Sequence, residues 1–160
     1  MASPQILVDA DACPVKDEIL RVAGRRNLVV TFVANSGLRP SRDPMIKTVI
    51  VPQGPDIADD WIVEHATPGD IVITADVPLA SSCVALGATV LGPTGRAFTP
   101  DSVGMALAMR NLNQELRESG ESKGYNKEFG AKERAAFVSA LAEAIDSALA
   151  EAIDRTIRRC

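Results

Sequence analysis

The chain predicts an α/β fold with a mostly parallel five-stranded sheet, followed by a helical C-terminal part. Two observations carry this. Over residues 5–91, short apolar runs closed by turn-prone residues alternate with helix-length segments. Beyond residue 99 no strand pattern recurs, and the apolar residues fall at helical spacing.

Taken in order, Gln5-Ile6-Leu7-Val8 runs into Asp9 as the first strand, and Pro14 to Arg26 reads as a helix with proline in its first turn. Leu28 to Ala34 is the second strand and Thr48 to Val51 a short third. Pro55 to Ala66 is a helix, Asp70 to Thr74 the fourth strand, Val77 to Leu86 a helix and Ala88 to Leu91 the fifth strand. Thr99-Pro100-Asp101 opens the next helix, with Thr99 as cap, and Gly120 ends it. Residues 1–120 thus make one α/β unit. Residues 121–160 are a polar, mobile loop (121–130) and a last helix, 131–159. That helix carries Phe137, Leu141, Ile145, Leu149 and Ile153 every fourth residue. The stripe is expected to pack on the sheet unit or on a second subunit as a homodimer contact. Arg155, Arg158 and Arg159 suit the negative end of its dipole.

A chain of 160 residues, 46% apolar and 24% charged, has the balance of a soluble globular domain. No apolar run reaches the length of a membrane span, and the N-terminus shows no signal-peptide pattern, so a cytoplasmic location is expected. Cys13, Cys83 and Cys160 form no CxxC pair, and His65 is the single histidine, which argues against a Cys/His zinc site. A net charge of −4 argues against bulk electrostatic binding of nucleic acid. It leaves room for a local basic rim.

The chemistry lies in acidic residues at strand ends. Asp9 and Asp11 follow the first strand, two apart, so in extended backbone both face one side. Asp56 and Asp59 open the second helix three residues apart, on one face. An aspartate at a strand end also caps a following helix, and the helix dipole favours acids in a first turn; this explains Asp56 better than Asp59. Asp60 points elsewhere. Asp76 follows the fourth strand. With the strands in order 3-2-1-4-5, Asp9 and Asp76 flank the crevice where the winding reverses, where ligands bind in open α/β sheets. Thr74 adds a hydroxyl. Carboxylates held together repel unless a hard cation, Mg²⁺ or Mn²⁺, lies between them. Arg39 and Arg42 in the 35–46 loop, Arg96 after the fifth strand and Arg110 in the next helix are candidate phosphate contacts. Cys13 reads as packing, its thiol raised by the nearby carboxylates; Cys83 reads as core and His65 as structural.

These segments carry a resemblance. Val8-Asp9-Ala10-Asp11-Ala12-Cys13-Pro14, Ala34-Asn35-Ser36-Gly37-Leu38-Arg39, Gly54-Pro55-Asp56-Ile57-Ala58-Asp59, residues 69–80 from Gly69-Asp70 to Leu79-Ala80, and Gly95-Arg96-Ala97-Phe98-Thr99 are similar, in the same order, to the YaiI/YqxD family of bacterial proteins. The resemblance implies a PIN-like, three-layer α/β/α domain with an acidic site of the kind used by Mg²⁺- or Mn²⁺-dependent ribonucleases. By position the acids are Asp9, Asp11, Asp56, Asp59 and Asp76. The pattern departs after Gly120, where relatives tend to have Gly-Gly-Pro and this chain reads Ser122-Lys123-Gly124-Tyr125-Asn126.

The leading reading is a metal-dependent nuclease acting on RNA or on flexible single strands, with single-stranded RNA or another phosphoester as the expected partner. Asp9, Asp59 and Asp76 hold a first metal, while Asp11 and Asp56 complete its shell or orient water. Arg39 and Arg96 contact phosphate, with Asn35 and Thr74 beside the substrate. A second reading is a haloacid dehalogenase-like phosphatase with Asp9 as nucleophile, on the strength of Asp9-Ala10-Asp11. It lacks the close acidic pair after a later strand and a well-placed lysine. A third is a non-catalytic metal- or nucleic-acid-binding protein.

Overall fold

The computed structural model describes residues 4–54, 56–105, 107–109 and 129–159. In chain order these form β1 (Ile6–Asp9), a 3₁₀ turn (Ala10–Ala12), α1 (Lys16–Arg25), β2 (Val30–Ala34), β3 (Ile46–Ile50), α2 (Ile57–His65), β4 (Ile71–Ile73), α3 (Val77–Ala85), β5 (Thr89–Leu91) and β6 (Ala97–Phe98). A helix α4 covers residues 100–105 and 107–109, and α5 runs Ala131–Arg159. Residues 121–128 of the expected loop, and position 110 with Arg110, lie outside the described residues.

The sheet order is β3-β2-β1-β4-β5-β6. The first five strands are parallel and take the expected order, with Asp9 opposite Val33 and Val8 opposite Ile73 in register. The sixth strand, β6, is an addition to the five expected. It pairs antiparallel with β5 through Val90–Phe98 and Leu91–Ala97. Two residues are too few to show an alternating pattern in sequence.

Alternation along each strand sorts the side chains to two faces. Ile6 and Val8 of β1, Phe32 of β2 and Ile71 and Ile73 of β4 join Ile19 and Val22 of α1 and Phe137, Leu141 and Ile145 of α5 in one core. Leu7, Val33, Val72 and Val90 form the other core with Ile62 of α2 and Leu79, Ala80 and Cys83 of α3. Helices therefore cover both faces, a three-layer α/β/α arrangement. The α5 stripe packs on the sheet of its own chain through its first three members; Leu149 is half-buried and Ile153 is 61% exposed.

Further contacts tie α5 down. Arg134 donates to the Pro14 carbonyl at 2.7 Å and pairs with Glu18 at 2.9 Å. Burial of Glu18 acts against its charge, but its own backbone amide and Arg134 hold the carboxyl below the usual range. The β5–β6 turn meets the same helix at Gly95, whose φ of +89° favours glycine; a Cβ there would lie 2.7 Å from the Ala136 carbonyl oxygen. At the amino edge of the sheet, buried Asp70 accepts from the Gln5 amide (3.3 Å) and side chain (3.1 Å), and from the Thr67 amide and hydroxyl (both 2.9 Å). No described helix is long and apolar enough to cross a membrane.

Candidate functional site: a carboxylate cluster at the β1–β4 switch point

Asp9 is the last residue of β1. Alternation from Leu7 turns it toward the α2/α3 layer, and the same alternation from Val72 turns Thr74 that way beyond β4. The two meet: Thr74 Oγ1 donates to Asp9 Oδ2 at 2.9 Å and accepts from the Asp76 amide at 2.9 Å. Thr74, only 2% exposed, thus links the ends of the two central strands. Asp76 then caps α3, its Oδ1 accepting from the Leu79 amide at 2.9 Å, with Pro78 in the first turn. The capping role weighed for strand-end aspartates is real at this position.

Asp59, in the first turn of α2, faces the same crevice. Its carboxyl is pushed up to about 6 by burial, then by the charges of Asp76, Asp9, Asp56 and Asp60. Asp9 is also raised, first by burial, with Thr74 opposing and Asp76 and Asp11 adding to it. Among the described residues, neither group forms an ion pair. Asp9, Asp59 and Asp76 are half-buried and form the inner group, while Asp11, Asp56 and Asp60 are exposed on its outside.

The route by which Asp11 arrives differs from the extended geometry expected. Residues 10–12 wind into a 3₁₀ turn, so Asp9 and Asp11 are not two same-side positions of a strand. Asp11 instead accepts the Asn35 amide on both oxygens, at 3.1 and 3.2 Å, and so anchors the loop that leaves β2. That role was invisible in sequence, because it joins segments 24 residues apart. Asp56 also departs from expectation: it precedes α2 in left-handed conformation (φ +65°) and its side chain caps nothing. Asx residues tolerate that conformation at a cost, and the carboxylate is left clear of the helix.

Hydrogen bonding leaves open acceptors. Among the described residues, Asp9 Oδ1, Asp76 Oδ2 and both oxygens of Asp59 have no protein donor. Among the same residues, the side-chain oxygen of Asn35 is buried with no partner. A set of oxygen-only, negatively charged acceptors without donors fits a hard divalent cation. Among the described residues, no three carboxylate, imidazole or thiol groups are already gathered as a ready-made cage.

The candidate phosphate contacts flank this group. Arg39 and Arg42 are exposed in the loop after β2, and Arg96 is exposed in the β5–β6 turn, with β1 and β4 between them in the sheet order. Cys13 is raised, chiefly by burial rather than by the neighbouring carboxylates. Cys83 is fully buried beneath Asp59 and its thiol is pushed up to about 11 by burial and that charge. His65 is exposed, stacks on Trp61 with ring centroids 3.7 Å apart and reaches the Trp61 carbonyl at 2.7 Å.

Comparison with known proteins gives one consistent family. Residues 7–147 match the profile described as "Uncharacterized BCR, YaiI/YqxD family". A UPF0178 protein of Agrobacterium fabrum is 68% identical over 87% of this chain and 91% of its own length. UPF0178 proteins of Mesorhizobium japonicum (62% identical, 88% and 91%) and Rhizobium meliloti (65%, 85% and 93%) are similar over comparable spans. No solved structure matches the chain.

Proposed function

The chain belongs to the YaiI/YqxD family, and we propose that it is a Mg²⁺- or Mn²⁺-dependent nuclease cleaving single-stranded RNA at the β1–β4 switch point. The observation that carries the reading is the inner group of Asp9, Asp59 and Asp76, half-buried at the strand ends and, among the described residues, without an ion pair. Structural carboxylates in proteins are normally paired or donor-satisfied. Among the described residues these three form no ion pair, and Asp9 Oδ1, Asp76 Oδ2 and both Asp59 oxygens lack a donor; at the position where open α/β sheets bind ligands, that suits a functional cation. This is the kind of acidic site that the PIN-like resemblance implies.

Bound there, a divalent cation would supply an activated water and neutralise charge on a phosphodiester. The protein's share is positioning. Thr74 sets the Asp9 carboxylate and, through the Asp76 amide, the start of α3, so these two acids move as one unit. Asp59 brings a third from a different layer. Arg39 and Arg96, at either side of the crevice, would hold phosphates of a strand laid across the sheet edge.

The test is cleavage of a labelled single-stranded RNA in Mn²⁺ by the wild type and by Asp76→Asn. Asparagine caps a helix as well as aspartate, so the variant should fold while losing a ligand charge. Cleavage by the wild type, reduced at least 100-fold in the variant, supports the reading. Equal cleavage by both, or by neither, refutes it. Acid-stable phosphoryl transfer to Asp9 would support the phosphatase instead, since hydrolysis by a metal-bound water forms no phosphoenzyme.

A further inference from the structure

Parallel neighbours are usually joined by a helix that covers the sheet between them. Here β2 and β3 are joined by residues 35–45, which contain no helix. On the α1 face this leaves a cavity of about 300 Å³. Its floor is Phe32 with Ile46 and Thr48, one wall is the first turns of α1 at Lys16 and Leu20, and the other is the loop at Leu38, Arg39 and Ser41. The volume is at the small end of the range that bound small molecules occupy.

The chemistry of the walls is divided. Phe32, Leu20, Leu38 and Ile46 offer an apolar slot, and all four contribute to the core beneath. Lys16 and Arg39 stand at its margin, and neither forms an ion pair among the described residues. Asp17 is the one acid in the lining. The start of α1 at Lys16 has no side-chain cap, and Asp17 and Glu18 in its first turn offset its positive end, so the positive charge at the rim is that of Lys16 and Arg39. Two hydroxyls, Ser41 and Thr48, are available to donate or accept. An apolar slot with an aromatic floor, hydroxyls within and paired cations at the rim is complementary to a base carrying a phosphate.

From this we propose that the cavity between α1 and the β2–β3 loop is a nucleotide subsite, holding one base of a single strand on Phe32 and Leu38 and its phosphate on Lys16 and Arg39. The proposal rests on the nuclease reading for its link to the carboxylates. Asp11 supplies that link: it lies beside Asp9 and holds the Asn35 amide at the entrance to the loop. A strand reaching both sites would pass over the carboxyl edge of the sheet, from the α2/α3 side of the carboxylates to the α1 side of the cavity.

The test reads binding rather than cleavage, so its outcome does not depend on whether the carboxylates are catalytic. The full chain in EDTA is titrated calorimetrically with AMP, CMP, inorganic phosphate and a four-nucleotide single-stranded RNA. Expected are saturable binding of at least one mononucleotide, binding of phosphate alone at least 10-fold weaker, and binding of the tetranucleotide at least 10-fold tighter. Arg39→Glu, on an exposed loop residue whose change does not threaten the fold, should weaken the nucleotides at least 10-fold, and Leu38→Trp should do the same by filling the slot. Absence of nucleotide binding, equal binding of phosphate and nucleotide, exclusion of the tetranucleotide, or wild-type affinity in Arg39→Glu would each overturn the proposal.

Discussion

Replacing Asp59 with asparagine should make the protein more stable at neutral pH, and the structure sets both the size and the pH window of the gain. The rise of this carboxyl from 3.8 to about 6 means that its ionised form is disfavoured in the folded state. At 1.36 kcal/mol per pH unit that is nominally about 3 kcal/mol. Asp59 is only half-buried, and water screens the repulsion, which leaves roughly 1 kcal/mol. The sign follows from proton counting. Below pH 3.8 both folded and unfolded chains hold the proton, and nothing is lost. Between 3.8 and about 6 the folded protein retains a proton that the unfolded chain has released, so stability falls as pH rises. Above about 6 the whole penalty is in place. Asparagine carries no charge, so Asp59→Asn should match the wild type near pH 3.5 and exceed it by roughly 1 kcal/mol at pH 7.5. That is about 2–4 °C in Tm for a chain of this size. Thermal unfolding in EDTA from pH 3.5 to 7.5 measures the difference, and repetition with millimolar Mg²⁺ should raise the wild type and not the variant. A difference between the two proteins that does not change with pH would refute the electrostatic account of Asp59.

Two further outcomes test the scaffold. Asp70→Asn should cost about 2–3 kcal/mol in urea unfolding, because the amide turns a donor toward the Gln5 and Thr67 donors that the carboxylate accepts, yet leave the pH-dependent stability difference of Asp59→Asn at the opposite sheet edge unchanged. Gly95→Ala should cost about 2 kcal/mol, since the methyl group combines an unfavourable φ with a close approach to the Ala136 carbonyl; a thermal midpoint equal to the wild type would contradict that packing of the turn on α5.

Much of the sheet was readable because its strands are buried on both faces and so appear as unbroken apolar runs, Ile6-Leu7-Val8 and Ile71-Val72-Ile73 being the clearest. The ends of those runs located Asp9 and Asp76, and helical spacing located Asp59. What sequence concealed depends on contacts between distant segments or on backbone conformation. Asp11 was placed beside Asp9 by strand geometry, whereas a 3₁₀ turn and the Asn35 amide determine where it lies. The left-handed backbone at Asp56 leaves no mark in residue spacing. Asp70 was read only as the start of the fourth strand, since nothing local reveals that Gln5 is its partner across the sheet edge. The short β6 strand and the helix-free link from β2 to β3 are decided by how the chain closes over the sheet, not by any periodic signal.

The placement of α5 bears on how the chain is made. The sheet face that buries Ile6, Val8, Phe32, Ile73 and Leu91 is closed by Phe137, Leu141 and Ile145, which are synthesised about fifty residues after the last of them. At a ribosomal rate of roughly 5–20 residues per second, that face stays open for several seconds while the α2/α3 face, built from neighbouring segments, can already close. Newly made chains therefore pass through half-covered intermediates, and truncations within α5 should reveal themselves first as aggregation during expression.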